Sequence, residues 1–366
     1  VIHIEVNKIY QGDALKILKT FPDESVDCII TSPPYFSQRY YGKETNIVWD
    51  GDENCKHKFK FMQDFKTGYC KKCGAWYGQL GLEPHPKLFI KHICDIVEEC
   101  MRTLKNNGNM FLNIGDTWAS ATHKNGYNKY GENWLKEKQK LFIPYRIAIE
   151  LQDRGYIVRE DIIWTKKVTK FPQKETIGFC MPSPIIDKFL LAHEVILHII
   201  KNKKVKSYIN RIKCKLKKST FERAKYPVSA TYKIQDESNP YLSQKNGMDA
   251  YFKKLDVLGK KIGSELKLAN PTSCIMFKKE NQHKVKGSHF AKFPLSLPRL
   301  FIEGFTDKGD IILDPFIGSG TTAIVSLKLG RKFVGIELNP DYVKMAYNRI
   351  KPYLEQKSLL EVGDLY

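Results

Sequence analysis

A chain of 366 residues is long enough for one large α/β core with inserted pieces, since cores divide or acquire appendages beyond about 250–300 residues. Its 60 Lys and Arg against 40 Asp and Glu give a net charge of +20, which favours a polyanionic partner, nucleic acid above all. No apolar run of about 18 residues occurs and the opening VIHIEVNKIYQGD lacks the charged-then-apolar layout of a signal peptide, while membrane binding is disfavoured because the basic runs have no amphipathic anchor; a soluble, cytoplasmic protein is expected.

Strand-like and helix-like runs alternate along the chain. Lys8 to Gly12 predicts a strand, Asp13 to Phe21 a helix and Val26 to Thr31 a short buried strand, a βαβ rhythm. The rhythm continues with a helix over Pro86 to Leu104, a strand from Asn109 to Ile114, a helix from Ile143 to Arg154, and apolar strands around Tyr156 to Trp164 and Glu194 to Ile200. Near the end, Asp310 to Phe316 reads as a strand, Thr321 to Leu329 as a helix closed by Gly330, Lys332 to Leu338 as a strand and Pro340 to Ile350 as a helix. Two segments break the pattern. Thr45 to Glu83 holds a cysteine cluster, and Lys201 to about Ser288 opens with KNKKVKSYINRIKCKLKK and stays polar with Tyr and Phe interspersed, as a separate inserted domain would.

In DPFIGSGTT, Asp314 ends a strand, and Gly318, Ser319 and Gly320 lead into a helix, a turn that brings backbone close to a ligand at the carboxyl edge of a parallel sheet. A tight strand-to-helix turn without a ligand would read the same way. Glu337, ending the next strand in VGIELNP, stands where a carboxylate accepts hydrogen bonds from ribose hydroxyls. No Gly-Lys-Ser/Thr follows the loop, so a nucleoside triphosphate site is not indicated. In TSPPY, Ser32, Pro33, Pro34 and Tyr35 follow the apolar strand VDCII. Consecutive prolines remove two N–H donors, so the groups presented are mainly carbonyl oxygens and the Ser32 hydroxyl, acceptors that suit an incoming amino group, and the Tyr35 ring can stack on a base drawn out of a duplex. A proline-rich strand exit with a packed tyrosine is the competing reading.

The nine cysteines are scattered apart from one cluster, which argues against a disulfide framework. Cys55 and His57, followed by Cys70 and Cys73, supply four ligands in a two-plus-two arrangement that suits one tetrahedral structural zinc ion, although the Cys-x-His half is tighter than the usual finger spacing. His193-Glu194, at the start of EVILHII, reads as a structural hydrogen-bonding pair outside any site, and Trp164 as an apolar strand end.

Taken in order, TSPPY, DPFIGSGTT and VGIELNPDY resemble the amino-group DNA methyltransferases of the beta group, in which the catalytic motif precedes the cofactor motif. The resemblance covers nearly the whole chain outside Lys201 to Ser288 and extends to QGDALKILKTFPDESVD, LKNNGNMFLNIGD, HFAKFPLSLP and Trp164-Thr-Lys166, the last matching the family's segment near the flipped base. It implies a Rossmann-like, S-adenosylmethionine-dependent methyltransferase core of permuted motif order over 1–200 and 289–366, a zinc-clip insert at 45–83 and a target-recognition domain at 201–288. It also implies that Asp314, Phe316, Gly318, Ser319, Gly320 and Thr321 form the cofactor loop and Glu337 holds the ribose, with Asp13 near the adenine ring and Phe293 and Pro294 around the methionine end. Ser32, Pro33, Pro34 and Tyr35 would hold the target base.

The implied reaction is methylation of an exocyclic amine of double-stranded DNA after base flipping. Cytosine N4 is favoured by Ser32, which stands where many adenine-specific relatives carry Asp, and adenine N6 is the alternative. An inactive DNA-binding regulator is a remoter one. Carbon methylation is disfavoured because no cysteine directly follows a proline. Double-stranded DNA is the expected partner, in a prokaryotic cytoplasm and associated with the nucleoid. A cognate restriction endonuclease and the oligomeric state are left open.

Overall fold

The computed structural model describes residues 4–61, 67–119, 136, 138–178, 180, 187–215, 268–269, 271–277 and 293–363. Lys8–Gln11 (β1) leads into Ala14–Leu18 (α1), whose start is fixed by Asp13 accepting a hydrogen bond from the Leu15 N–H at 3.0 Å. Val26–Thr31 (β2) is buried along its whole length, as expected of an unbroken apolar run inside a parallel sheet. The cysteine-bearing insert then forms its own small sheet from Ile47–Trp49 (β3), Phe59–Phe61 (β4), Gly68–Cys70 (β5) and Trp76–Gly78 (β6), ordered β3-β6-β5-β4 and antiparallel throughout.

Pro86–Thr103 (α2) begins with proline in its first turn, where the missing N–H costs nothing, and passes directly into Leu104–Ile114 (β7). Ile143–Asp153 (α3) and Ile157–Thr165 (β8) precede a hairpin of Lys167–Lys170 (β9) and Glu175–Gly178 (β10). His193–Ile200 (β11) returns to the core, and Cys214–Lys215 (β12) pairs with Leu268–Ala269 (β13). The chain closes with Cys274–Ile275 (β14), Ser296–Phe305 (α4), Ile311–Asp314 (β15), Thr321–Lys328 (α5), Lys332–Glu337 (β16) and Pro340–Gly363 (α6).

The main sheet has the order β1-β16-β15-β2-β7-β11-β8-β14, in which every neighbouring pair is parallel except the two that β11 makes with β7 and β8. Successive residues of one strand serve opposite faces. Ile29, Leu313 and Val334 pack into the core formed with α1, α2 and α3, whereas Cys28, Ile30 and Ile312 pack with Leu297, Phe301 and Ile302 of α4. Ile9 and Phe333 face Ile324 and Leu327 of α5 and Ala346 and Ile350 of α6. The result is an α/β sandwich of helices on both faces of a mostly parallel sheet.

Boundaries fall within a few residues of the sequence reading, with three informative differences. Strand β7 starts at Leu104, earlier than the expected Asn109, because the C-cap residue of α2 already pairs with Val26. Helix α6 runs past Ile350 to Gly363. Helix α4 has no counterpart among the predicted elements, since Pro298 lies inside its first turns and masks a strongly one-sided apolar face.

The chain divides into two units: 1–208 with 273–366, and Ile209–Thr272. The second lies inside the 201–288 segment and is shorter at both ends. Lys206 N–H bonds the Asn107 carbonyl and Tyr208 N–H the Gly304 carbonyl, while β14 pairs with β8, so these flanks belong to the larger unit. Residues 216–267, which make up most of the second unit, lie outside the described residues. Among the described residues no helix is long and apolar enough to cross a membrane.

Candidate active site

Strands β2, β15 and β16 are adjacent and parallel, so TSPPY, the glycine loop and Glu337 all emerge at one edge of the sheet. This is the edge at which open α/β sheets bind ligands. Strand β11 runs the other way, and its beginning therefore reaches the same edge as the ends of its neighbours, bringing Glu194 beside Asn113 of β7 and Trp164 of β8. The cleft between them measures about 340 Å³, within the range of small-molecule sites, ~300–1,000 Å³. Ser32, Pro33, Pro34 and Tyr35 line it together with Asp13, Phe293, Phe316, Gly318, Ser319, Thr321 and Glu337.

Three residues expected at a ligand stand behind that wall. Asp314 is 1% exposed, and its carboxylate is occupied: Oδ1 accepts from Thr31 Oγ1 at 2.7 Å and from the Phe316 N–H at 3.1 Å, and Oδ2 from Thr322 Oγ1 at 2.6 Å. Burial pushes this carboxyl up to about 6, against the pull of the two threonine hydroxyls. Asp314 thus ties the end of β2 to the glycine loop instead of lining the cleft. Gly320 caps α5 at φ 80°, and a Cβ there would lie 2.9 Å from Ile350. Pro294 offers its carbonyl to Leu297 N–H at 3.1 Å at the start of α4.

Glu337 does face the cleft. Its Oε2 accepts from the Gly318 N–H at 2.9 Å and its Oε1 from the Asn339 N–H at 2.8 Å, which leaves lone pairs on both oxygens for a ligand. Burial raises it to about 7, against these two N–H donors, with Asp314 adding a smaller upward push. Thr321 Oγ1 is buried at the same loop without a hydrogen-bond partner, an orphan that a ligand hydroxyl or carboxylate would satisfy. Arg349 of α6 braces the loop from behind, donating to the Ser319 hydroxyl at 2.7 Å and to its carbonyl. Nothing in its sequence neighbourhood signals that role.

Around TSPPY the side chains form one network. Tyr35 Oη lies 2.7 Å from Glu194 Oε2 and 3.1 Å from Ser32 Oγ. Asn113 Nδ2 reaches Tyr35 Oη at 2.7 Å, Glu194 Oε2 at 2.8 Å and Ser32 Oγ at 3.3 Å. Lys166 forms an ion pair with Glu194 Oε1, its ammonium 4.8 Å above the Trp164 ring. Burial and the neighbouring Glu194 carboxylate hold the Tyr35 hydroxyl well above its usual range, so it remains a proton donor. Gly115 allows the ring to seat there: a Cβ at that position would lie 2.5 Å from Tyr35 Cδ2. The sequence alone does not single out Asn113 and sets Glu194 outside the site as half of a structural pair with His193, whereas both line the cleft. The sole signal for Glu194 was a charged residue opening an otherwise apolar strand.

In the insert, Cys55, His57, Cys70 and Cys73 bring their ligand atoms within 4.8 Å of one another. Cys55 Sγ and Cys70 Sγ are 3.9 Å apart, and Cys73 Sγ lies 3.3 Å from His57 Nδ1. A tetrahedral site with metal bonds of ~2.0–2.3 Å has edges of roughly 3.3–3.8 Å, and these two spacings lie close to that range. The Lys72 N–H points at Cys70 Sγ at 3.4 Å, and Gly74 at φ 76° turns the chain back into β6. Both ends of the insert are pinned to α2 by buried His92, with Nδ1 3.0 Å from Glu83 and Nε2 3.2 Å from Asp50, its ring stacked with those of Trp49 and Trp76.

Comparison with known proteins agrees with this geometry. A family model for N6/N4 DNA methylases matches residues 26–348. The type II methyltransferase M.SmaI of Serratia marcescens is 29% identical over 355 residues, covering 94% of this chain and 90% of the relative. M.Cfr9I of Citrobacter freundii is 27% identical over 357 residues, covering 94% and 87%. Among solved structures, the PvuII DNA methyltransferase (cytosine-N4-specific) shares the fold, with a TM-score of 0.55 at 18% identity over 93% of this chain and 85% of that one. The match to the family model spans most of the chain, both motif loops included, and the protein belongs to the amino-group (N6/N4) DNA methyltransferases.

Proposed function

We propose that this enzyme methylates the exocyclic N4 of cytosine in double-stranded DNA, with S-adenosylmethionine as donor. The observation that carries the reading is the tie Thr31–Asp314, which fixes an amine-accepting loop beside a ligand-binding loop at the edge of adjacent strands. The residues present fit the donor: Glu337 has free lone pairs for ribose hydroxyls, Thr321 Oγ1 lacks a partner, Asp13 and Phe293 line the same cleft, and Gly318 and Ser319 expose backbone. Bound there, the donor would supply an electrophilic methyl group.

The chain's own residues do the rest. An exocyclic amine is a weak nucleophile because its lone pair is delocalised into the ring. Ser32 Oγ and the Pro33 carbonyl accept hydrogen bonds from its N–H groups and localise that pair, while Tyr35 offers a flat face to the flipped base. Orientation and placed dipoles carry most of the effect. Cytosine is preferred over adenine because Ser32 is a neutral acceptor with a rotatable proton, unlike an ionised aspartate.

The 201–288 segment acts as the target reader, its many Lys and Arg meeting phosphates, and one zinc ion on Cys55, His57, Cys70 and Cys73 acts as a structural clip for the insert. The direct test incubates the protein with unmethylated genomic DNA and methyl-labelled donor. Label should enter DNA in the parent and fall by about two orders of magnitude in Ser32→Ala or Glu337→Ala. Label transfer undiminished in both variants would remove the assignment of the site.

A further inference from the structure

Glu194, the second residue of β11, lies directly opposite Trp164, with its side chain 12% exposed in the cleft wall, and both of its oxygens are engaged. An ionised carboxylate only accepts hydrogen bonds, so it fixes the direction of whatever chain ends on it. The single proton of Tyr35 is drawn to Glu194 Oε2 at 2.7 Å, which turns the Tyr35 lone pairs toward Ser32 and Asn113. Ser32, 3.1 Å away, then directs its own proton to Tyr35 Oη and keeps its lone pairs for the cleft. The Asn113 amide nitrogen has two protons and three acceptors within reach, so its bond to Ser32 at 3.3 Å, the longest of the three, is the one that yields when another donor arrives. Lys166 pairs with the other oxygen of the carboxylate.

We propose that Glu194, held by Lys166, is a positioning residue that sets the polarity of the chain Ser32–Tyr35–Glu194, so that Ser32 Oγ meets the amino group of the target base as an acceptor. Glu194 does not itself touch the base. The inference rests on the reading of Ser32 as the acceptor for an exocyclic amine. A glutamine at 194 would keep the size and offer a donor to Tyr35, reversing the chain and presenting the Ser32 proton to the amine.

The test is single-turnover methylation of genomic DNA by the full chain, with calorimetric cofactor affinity and thermal melting measured on the same preparations. Glu194→Gln should lower the transfer rate by about 30- to 300-fold with cofactor and DNA affinities within about twofold, and Glu194→Asp should recover part of the loss. Because Glu194 acts through Tyr35, the double variant Tyr35→Phe/Glu194→Gln should be no slower than Tyr35→Phe alone. Undiminished transfer in Glu194→Gln overturns the proposal while leaving the methylation reading intact, and so does a rate loss matched by loss of cofactor binding. Should Glu194→Gln not fold, Tyr35→Phe decides: full activity there sinks the directional chain. A parent protein that methylates no base of genomic DNA would remove the proposed function and this inference with it.

Discussion

Tyr35 can occupy the cleft only because position 115 lacks a side chain. Gly115→Ala places a methyl group 2.5 Å from the ring, so the ring must leave its hydrogen bonds to Glu194 and Asn113. We expect a loss of about 1–3 kcal/mol in stability, a transfer rate down by at least about tenfold and unchanged cofactor affinity, checked by denaturation, single-turnover assay and calorimetry.

Glu337 and Asp314 give the folded protein a definite pH response. Their carboxyls rise to about 7 and about 6 from 4.5 and 3.8, so between those limits the folded chain holds protons that the unfolded chain has released. Stability of the unliganded protein therefore falls as pH rises from about 4 to about 7, by roughly 3 kcal/mol for each fully shifted group. Melting curves should show this fall, flattened in Glu337→Gln; parallel curves for parent and variant would place the effect elsewhere.

At the scale of elements, the three-residue strands of the insert are too short to hold a sheet alone; Trp49 and Trp76, packed into the main core, and His92 fasten it, together with the proposed zinc clip. Elemental analysis should find about one zinc per chain, lost in Cys70→Ser together with several degrees of melting temperature. A metal-free protein that melts at the same temperature with and without chelator would remove the clip. Burial pushes the His92 pKa down, but the hydrogen bonds and charges of Asp50 and Glu83 outweigh it and raise it above the usual imidazole value. His92→Leu leaves the buried Glu83 unpaired and should cost about 3–5 kcal/mol in equilibrium unfolding.

Elements also show what sequence could and could not disclose. Val26–Thr31 was readable to the residue because an apolar run buried on both faces ends abruptly at proline, and the glycine loop because turn chemistry is local. The role of Glu194 was not, since the residue meets Tyr35 across 159 positions and only because β11 enters the sheet antiparallel. For Asp314 the strand end was legible, whereas the two threonine hydroxyls that occupy its oxygens were not, because they come from different elements.

For the whole molecule, the proposed function assigns attraction to the net charge of +20, sequence choice to the separate unit Ile209–Thr272 and chemistry to the larger unit. Replacing 209–272 by a short linker should abolish site-specific DNA binding while cofactor binding survives in calorimetry. Retention of the parental methylation pattern would show that the larger unit reads sequence by itself. The central claim, that Ser32 and its network deliver an exocyclic cytosine amine to the donor, is tested most directly by the identity of the product. Unmethylated DNA treated with enzyme and labelled S-adenosylmethionine, digested to nucleosides and separated with mass detection, should carry its label in N4-methylcytidine as the deoxynucleoside. Label in N6-methyladenine deoxynucleoside would contradict that claim.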